Sequence, residues 1–395
     1  MKTVQTHSIG LLARGACIAL LMLCCAGLQG QELTVHVLSQ LKDSAFFQSA
    51  EAQRIGNLLL LYQRDTGGWP KNTEMVTPLS DAQQDSVRRQ KARQDDSTID
   101  NKATIMQMRF LAHLFRQTGD SRYRSAFCRG MGFLLSGQYE NGGWPQFWPV
   151  NRAYQKHITF NDDAMVNVLS LLHDVIRERP PYGADLIDEQ MRKRASEAFE
   201  RGIGCILATQ IMFRGRPAIW CQQYDCSTLL PAQARSYELP SFCTQESAAI
   251  VSLLMQIDQP DERVVRSVHS AMRWFDEHKL LGFRLERYSV GGQPDIRLVA
   301  DSCAEPIWAR FYDLEEELPF VCDRDGQPKR SLSEISYERR NGYSWYNGKP
   351  RALFRQYEVW AQRTGGPQAL APKPPKGECK APKPPKGECR SPQAP

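Results

Sequence analysis

The stretch TFNDDAMVNVLSLL, residues 159–172, joins a cluster of acidic residues directly to an apolar pattern of helical period. Four apolar residues recur at near-helical spacing and predict a helix with one buried face, namely Ala164, Val168, Leu169 and Leu172. Asp162 and Asp163 then fall in or beside the first turn, where unpaired N–H groups and the helix dipole favour carboxylates. A capped core helix would account for this stretch if it stood alone.

The same pattern occurs upstream at TIDNKA, residues 98–103, and in looser form downstream at TQESAA, residues 244–249. Each of these segments also runs into an apolar helical stretch. Aligning the three threonines gives one repeat position with Asp100, Asn161 and Glu246, and a second with Asn101, Asp162 and Ser247. The recurrence makes these positions candidates for chemistry as well as for helix caps.

A tryptophan turn precedes each acidic segment. GGWP occurs at 67–70 and again at 142–145, and the three tryptophans that lead into the repeats are Trp69, Trp144 and Trp220. A helix, a tryptophan turn and a capped helix therefore recur, which is typical of stacked helical architectures. Because no run of alternating strands appears, we predict an all-α barrel of helix pairs with long loops and a short β-hairpin over 282–299.

The two ends of the chain differ from its body. Residues 1–30 combine Lys2 and Arg14 with the apolar run ACIALLMLCCAGL and a small, polar end, which predicts a signal peptide and a secreted or periplasmic protein. We expect no transmembrane anchor and no lipid anchor, since the run is short and neither Cys24 nor Cys25 follows a small residue. Residues 366–395 repeat a Pro- and Lys-rich decapeptide and should form an extended tail, which leaves one folded domain over 31–365.

Charge and cysteine content narrow the classes of function. The net charge of +6 on 395 residues is modest, and no clustered basic helix accompanies it, so nucleic acid is not an expected partner. A positive cleft would instead suit a secreted protein that holds an anionic polymer. The body cysteines show no CxxC spacing, so a zinc site is unsupported and buried thiols with at most one disulfide are expected.

Two readings are open for each candidate residue. Trp69 and Trp144, beside Gly-Gly and Pro, either pack structurally or present a flat face to a sugar ring. Asp100 and Asp162, with their neighbours Asn101 and Asp163, either cap helices or converge as oxygen ligands for a hard cation such as calcium.

Arg235 is a further candidate. It lies just before the third acidic segment in a loop whose backbone is restrained by Pro231 and Pro240. It is either an ordinary surface residue or an arginine positioned towards the same mouth as the acidic turns.

Six motifs together resemble the pectate lyases of polysaccharide lyase family 10. They are GGWPKN at 67–72, STIDN at 97–101, NGGWPQ at 141–146, ITFNDDAM at 158–165, ARSYELPS at 234–241 and RNGYSWY at 340–346. The match runs in order from about residue 50 to 362. It implies an (α/α)3 toroid, a cleft for polygalacturonate, and cleavage by calcium-assisted β-elimination to 4,5-unsaturated oligogalacturonides.

The resemblance also implies roles for individual residues. Asp100 and Asp162 match the calcium ligands, and Arg235 matches the catalytic base. Arg310 in WARFY and Arg324 in CDRDG resemble substrate-binding arginines. Further substrate contacts are implied for Trp69, Lys71, Asn101, Trp144 and Tyr343. We therefore expect a pectin-binding monomer with Ca²⁺ as cofactor.

The proposed base raises an energetic question. Arginine is normally protonated, and lowering its pKa by about four units would cost roughly 5 kcal/mol. We therefore predict an alkaline optimum. Two rival functions remain at the level of sequence: a hydrolase that uses two of the carboxylates as general acid and base, among Asp100, Asp162, Asp163 and Glu246, and a non-catalytic pectin-binding protein.

Overall fold

The computed structural model describes residues 44–150 and 152–364. The predicted signal peptide and the predicted tail lie outside the described residues. The α-helices are α1 Ser44–Phe47, α2 Ala50–Tyr62, α3 Asp81–Arg89, α4 Ile105–Thr118, α5 Ser121–Ser136, α6 Ala164–Ile176, α7 Glu189–Thr209, α8 Thr244–Leu254, α9 Glu262–Glu277, α10 Tyr337–Asn341 and α11 Arg351–Thr364. Short 3-10 turns occupy Asp100–Lys102, Ala153–Lys156, Asn161–Asp163 and Leu332–Glu334.

Short antiparallel strands connect these helices. They are β1 Ile158–Thr159, β2 Met212–Phe213, β3 Arg216–Pro217, β4 Gln223–Tyr224, β5 Phe242–Cys243, β6 Phe283–Val290, β7 Gln293–Ala300, β8 Trp308–Ala309, β9 Phe311–Tyr312, β10 Pro319–Cys322, β11 Pro328–Lys329 and β12 Tyr346–Asn347. Four of them form one sheet in the order β11-β10-β9-β5, and the others pair as β1-β4, β2-β3, β6-β7 and β8-β12.

The predicted all-α class is wrong, and so are the predicted (α/α)3 toroid and the predicted barrel of helix pairs, which assumed that class. The structure contains 46% helix and 14% strand, the latter in several small sheets. Most strands have two residues, too few to show a period of two in sequence, and β5 pairs with β9 nearly 70 positions further on. The predicted hairpin is confirmed: β6 and β7 pair antiparallel across Gly291 and Gly292, whose φ angles are 57° and 83°.

The described residues group into two compact units. The first consists of the residues up to Tyr139 together with Pro145–Arg152 and Asn167–Glu200. Its helices α2, α4 and α5 place apolar residues on buried faces, with Leu59, Met108, Leu111, Leu114 and Met131 fully enclosed. Burial of these side chains, at roughly 1.5–3 kcal/mol each, supports the helices more than intrinsic propensity does.

The second unit consists of Glu140–Trp144, Ala153–Val166 and the described residues from Arg201 onward. It contains the sheets and helices α8 and α9. Its core is aromatic, and Trp220, Phe242 and Trp308 are almost completely buried. The first turn of helix α8 is buried on all sides, including its polar residues Thr244 to Ser247. These side chains therefore need hydrogen-bond or ion-pair partners inside the protein.

Three buried tryptophans are tied to the helix that precedes them. The indole N–H donates to a carbonyl near that helix's end in three cases: Trp69 to Leu59 at 2.8 Å, Trp220 to Ile206 at 2.7 Å, and Trp308 to Phe275 at 2.8 Å.

The three tryptophan turns of the sequence repeat are tied to the segment that follows them. The tryptophan carbonyl accepts an amide from the start of that segment in three cases: Trp69 from Thr98 at 3.2 Å, Trp144 from Thr159 at 3.1 Å, and Trp220 from Cys243 at 2.8 Å. The recurrence in the sequence is therefore a recurring hydrogen-bonded unit.

No helix in the described part of the chain has the length and hydrophobicity needed to cross a bilayer.

Candidate active site

The first acidic turn, defined here as residues 98–104, precedes helix α4. Three of its residues have positive φ angles of 50°, 63° and 64°, namely Asn101, Lys102 and Thr104. Residues with side chains rarely adopt such angles unless contacts hold them there. Thr104 is held, because its hydroxyl accepts from the Trp69 amide at 3.0 Å and donates to the Thr98 carbonyl at 2.8 Å.

Asp100 is the inward residue of this turn. Only 3% of it is exposed, and the Lys71 ammonium forms an ion pair with its Oδ2 atom. Its Oδ1 atom is buried and has no hydrogen-bond partner among the described residues. A buried carboxylate oxygen without a donor is costly, so this atom suits a cation. Asn101, the next residue, is exposed and donates to the Asn72 side chain at 2.9 Å.

The second acidic turn, defined as residues 159–165, runs into α6 without a break. Asp162 and Asp163 have φ angles of 50° and 61°. Here the inward residue is Asn161, which is 5% exposed and donates to Asp162 Oδ2 at 2.9 Å. Asp162 is half-buried, and Asp163 lies 3.8 Å from the Lys349 ammonium.

Arg235 is held by a buried carboxylate in its own loop. Its Nε donates to Glu238 Oε2 at 2.7 Å and its Nη2 donates to Oε1. The Glu238 side chain is 2% exposed, whereas that of Arg235 is 43% exposed. This two-pronged pair fixes the plane of the guanidinium.

This ion pair changes the proton affinity of both groups. Burial by itself lowers the pKa of Arg235, but the hydrogen bonds and negative charge of Glu238 outweigh it, and the pKa is raised above its ordinary value. Burial raises the pKa of Glu238, but the bonds from Arg235 and Tyr343 outweigh it, and that pKa is lowered. Arg235 is therefore protonated in the free protein.

Two further side chains complete the environment of Glu238. The Tyr343 hydroxyl donates to its Oε1 atom at 2.8 Å, and the Gln222 amide donates to the same atom at 3.2 Å. The Gln222 amide also donates to Asn161 Oδ1. One chain of hydrogen bonds thus joins Arg235 to the second acidic turn.

Arg310 is buried rather than presented to solvent. It is 4% exposed, and its Nη2 atom donates to Glu246 at 2.5 Å. Its guanidinium also lies 4.5 Å from the centroid of the Tyr343 ring. Arg310 therefore supports Tyr343 from within the unit. Glu246, the third member of the acidic repeat, sits in α8 as the partner of Arg310 and not in an acidic turn.

Arg324 and the motif tryptophans have opposite environments. The Arg324 side chain is 66% exposed and pairs with Glu338 at 3.1 Å, so its guanidinium is accessible to an anion. Trp69 and Trp144 are 0% and 1% exposed. Neither indole presents a face for a sugar ring, and their hydrogen bonds agree with the structural reading.

Sequence reasoning missed Glu238 and Gln222 as parts of the site. Glu238 lies in the quoted ARSYELPS motif, and its spacing of three from Arg235 was the available signal. Gln222 contacts Asn161, which lies 61 positions earlier in the chain, so no local pattern could identify it.

The donor atoms fit a hard cation only in part. Asp100 and Asp162 offer carboxylate oxygens, and the unpartnered Oδ1 of Asp100 suits a positive charge. No group of three or more His, Cys, Asp or Glu side chains in the described residues could hold a metal. A calcium ion held at either acidic turn would therefore need water, amide or substrate oxygens to complete its ligands.

Comparisons with known proteins show which family the chain resembles. The sequence model of the family described as pectic acid lyase matches residues 63–354. A mutant of the family 10 polysaccharide lyase from Cellvibrio cellulosa, in complex with trigalacturonic acid, is 31% identical, with 80% of this chain and 93% of that chain covered and a TM-score of 0.69. A second structure, the family 10 polysaccharide lyase from Cellvibrio cellulosa, is 29% identical, with 85% and 96% covered and a TM-score of 0.70. No curated protein matches the chain in sequence.

The family match and the similarity to the two solved structures define an enzyme of the polysaccharide lyase class. Within that class, the chain belongs to the pectic acid lyase family and is a family 10 pectate lyase. The resemblance seen in the six sequence motifs is thereby confirmed.

Proposed function

We propose that the protein is a secreted enzyme that cleaves polygalacturonate by calcium-assisted β-elimination. The observation that carries this proposal is Arg235, a half-exposed arginine whose plane is fixed by the buried Glu238. Family membership and the trigalacturonic acid bound to the Cellvibrio relative support the substrate class.

The reaction needs a base at C5 of a galacturonate residue. The C5–H bond breaks, its electron pair forms the C4=C5 double bond, and the C4–O4 bond breaks with its electron pair going to O4. The leaving chain takes up a proton at O4 from water. Because Nε and Nη2 of Arg235 hold Glu238, Nη1 is the nitrogen oriented for the substrate, and it takes the C5 proton when the guanidinium is neutral.

Calcium held by Asp100 and Asp162 would neutralise the substrate carboxylate and so acidify the C5 proton. Arg324, exposed and able to form two-pronged bonds, would bind a second carboxylate of the polymer. Lys71, paired with Asp100, would lie beside the bound ion or the sugar. Arg310 and Tyr343 would hold the buried side of the site together.

One assay separates this function from its rivals. Polygalacturonate is incubated with the protein, with and without a calcium chelator, while ultraviolet absorbance and reducing ends are followed. Chelator-sensitive absorbance means calcium-assisted elimination. Reducing ends without absorbance mean hydrolysis, and retained binding with neither signal means a binding protein.

Arg235→Ala tests the base directly. We expect a loss of at least roughly 100-fold in kcat, because a positioned general base contributes that much or more. In the unmodified enzyme, the rate should rise towards alkaline pH as Arg235 loses its proton. Arg287→Ala, on the exposed β-hairpin, is the matched control. Full activity of Arg235→Ala, or a flat rate from neutral to alkaline pH, contradicts the assignment.

A further inference from the structure

Glu238 is an unusual choice of neighbour for a base. Its carboxylate is almost fully buried and accepts from the Arg235 guanidinium and, at 3.1 Å, from the Arg235 backbone amide. A negative charge this close favours the protonated arginine, which is the form that cannot accept a proton. Burial by itself lowers the pKa of Arg235 and so favours the neutral form. The pair therefore favours a fixed orientation at the expense of basicity.

Among the described residues, no second carboxylate forms an ion pair with Arg235. Its guanidinium lies 5.1 Å from the Tyr237 ring centroid and 5.8 Å from that of Tyr343. Behind these rings are two more arginines: Arg339 is 4.2 Å from the Tyr237 ring, and Arg310 is 4.5 Å from the Tyr343 ring.

Both of those arginines are themselves paired. Arg339 pairs with Glu338, and Arg310 pairs with Glu246. The Cys243 thiol also donates to Glu246, at 2.6 Å. In the described part of the chain, Glu238 is the carboxylate paired with Arg235.

Glu238 is also connected to the second acidic turn. The Gln222 amide donates both to Glu238 and to Asn161, the inward residue beside Asp162. A shift of the Glu238 carboxylate would therefore be transmitted in two directions, to the guanidinium and to the turn.

We infer that Glu238 is a positioning residue that fixes the reactive nitrogen of Arg235 and sets the pH at which this arginine becomes a base. The inference rests on the proposed function. It separates two properties of one side chain: the shape of the carboxylate orients Arg235, and its charge holds the alkaline limb of the rate profile at high pH.

Two substitutions separate shape from charge. Glu238→Gln keeps an acceptor of similar size and removes the charge, so the alkaline limb of kcat should move down by at least about one pH unit. Glu238→Asp keeps the charge and shortens the side chain, so the limb should stay in place while kcat falls by roughly tenfold or more. Both are measured as pH–rate profiles on polygalacturonate with calcium, by ultraviolet absorbance.

Glu286→Gln is the matched control. Glu286 lies on the β-hairpin and pairs with Arg284 and Arg297 near the surface, so its substitution should leave both the limb and kcat unchanged.

The outcomes separate this inference from the function on which it rests. A lower kcat in Glu238→Gln with the limb unmoved makes Glu238 merely structural and overturns the inference, while elimination by the unmodified enzyme still stands. Unmodified kcat in Glu238→Asp at every pH overturns it as well, even if Glu238→Gln fails to fold. Absence of unsaturated product from the unmodified enzyme overturns the proposed function and this inference together.

Discussion

The two acidic turns have nearly the same backbone and place their carboxylates differently. Asn101 has φ 50° and ψ 32°, and Asp162 has φ 50° and ψ 34°. In both turns the preceding residue is buried, but it is Asp100 in the first and Asn161 in the second. The charged and neutral members of the pair have changed places. The repeat therefore specifies a turn, and the choice of aspartate or asparagine within it decides where the charge lies.

The exchange has electrostatic consequences in each unit. An inward carboxylate must be compensated, and Lys71 supplies a positive charge to Asp100. An inward amide needs only hydrogen bonds, and Asn161 obtains one from Gln222. The second turn can thus link to Glu238 without bringing two buried carboxylates together, while Asp162 remains half-exposed.

Exchanging the two residues of the second turn should have the largest effect. The double substitution Asn161→Asp and Asp162→Asn keeps the net charge but moves the carboxylate inward, towards Gln222 and the Glu238 network. We expect calcium-dependent kcat/KM to fall by roughly 100-fold or more, because a proposed metal ligand is lost and a buried charge is added. The measurement is initial rate against calcium concentration, with circular dichroism to verify folding.

The same exchange in the first turn, Asp100→Asn with Asn101→Asp, is the counterpart. It moves a carboxylate outward, away from Lys71, and should cost about tenfold. If both exchanges leave the calcium dependence unchanged, the position of the carboxylate in the turn does not matter and the comparison fails.

The second prediction concerns a feature present in one turn alone. In the first turn, Thr104 has φ 64° and ψ −52° and delays the start of α4, whereas α6 follows the second turn directly. Thr104→Val removes a buried hydroxyl that accepts a hydrogen bond from the Trp69 amide and donates one to the Thr98 carbonyl. We expect the free energy of unfolding to fall by about 2 kcal/mol in urea titrations.

Thr104→Ser retains the hydroxyl and is the control, with an expected loss below about 1 kcal/mol. Equal losses in the two variants would mean that the methyl group, and not the hydrogen bonds, holds the turn.

Local patterns in the sequence predicted the parts of this molecule that depend on local contacts. The helix predicted from the apolar spacing of Ala164 to Leu172 is observed as Ala164–Ile176, and the 282–299 hairpin is present. The strands of two residues were missed because they are too short to show a period of two, and several of them, such as β1 with β4 and β5 with β9, pair with residues far along the chain. Glu246 illustrates the same limit: its alignment with Asp100 was reasonable, but a buried arginine 64 positions away makes it an ion-pair partner inside a regular helix.

The candidate site divides in the same way. The motif residues Asp100, Asp162 and Arg235 could be selected from sequence because each lies in a short, recognisable segment. The burial of Trp69 and Trp144 could not be predicted from sequence, since a tryptophan beside Gly-Gly and Pro is equally suited to stacking on a sugar ring and to packing in a core. Burial depends on what packs against the ring.

The smallest effect is expected at Lys71. Its side chain is 31% exposed, so its ion pair with Asp100 is partly solvated and worth about 1 kcal/mol. If the ammonium competes with calcium for this carboxylate, Lys71→Met should tighten calcium binding by up to roughly tenfold, while lowering the calcium-free stability by a similar free energy. Calorimetric titration with calcium and urea unfolding, each with and without the ion, measure the two effects.

Lys102→Met is the matched control, because Lys102 is an exposed lysine of the same turn and its removal changes the net charge equally. Weaker calcium binding in Lys71→Met than in Lys102→Met would mean that Lys71 assists the ion instead of competing with it. Asp100 would then be a calcium ligand whose negative charge Lys71 helps to hold in place. The two turns would in that case differ in the positive charge that accompanies each carboxylate, and not in their ability to bind calcium.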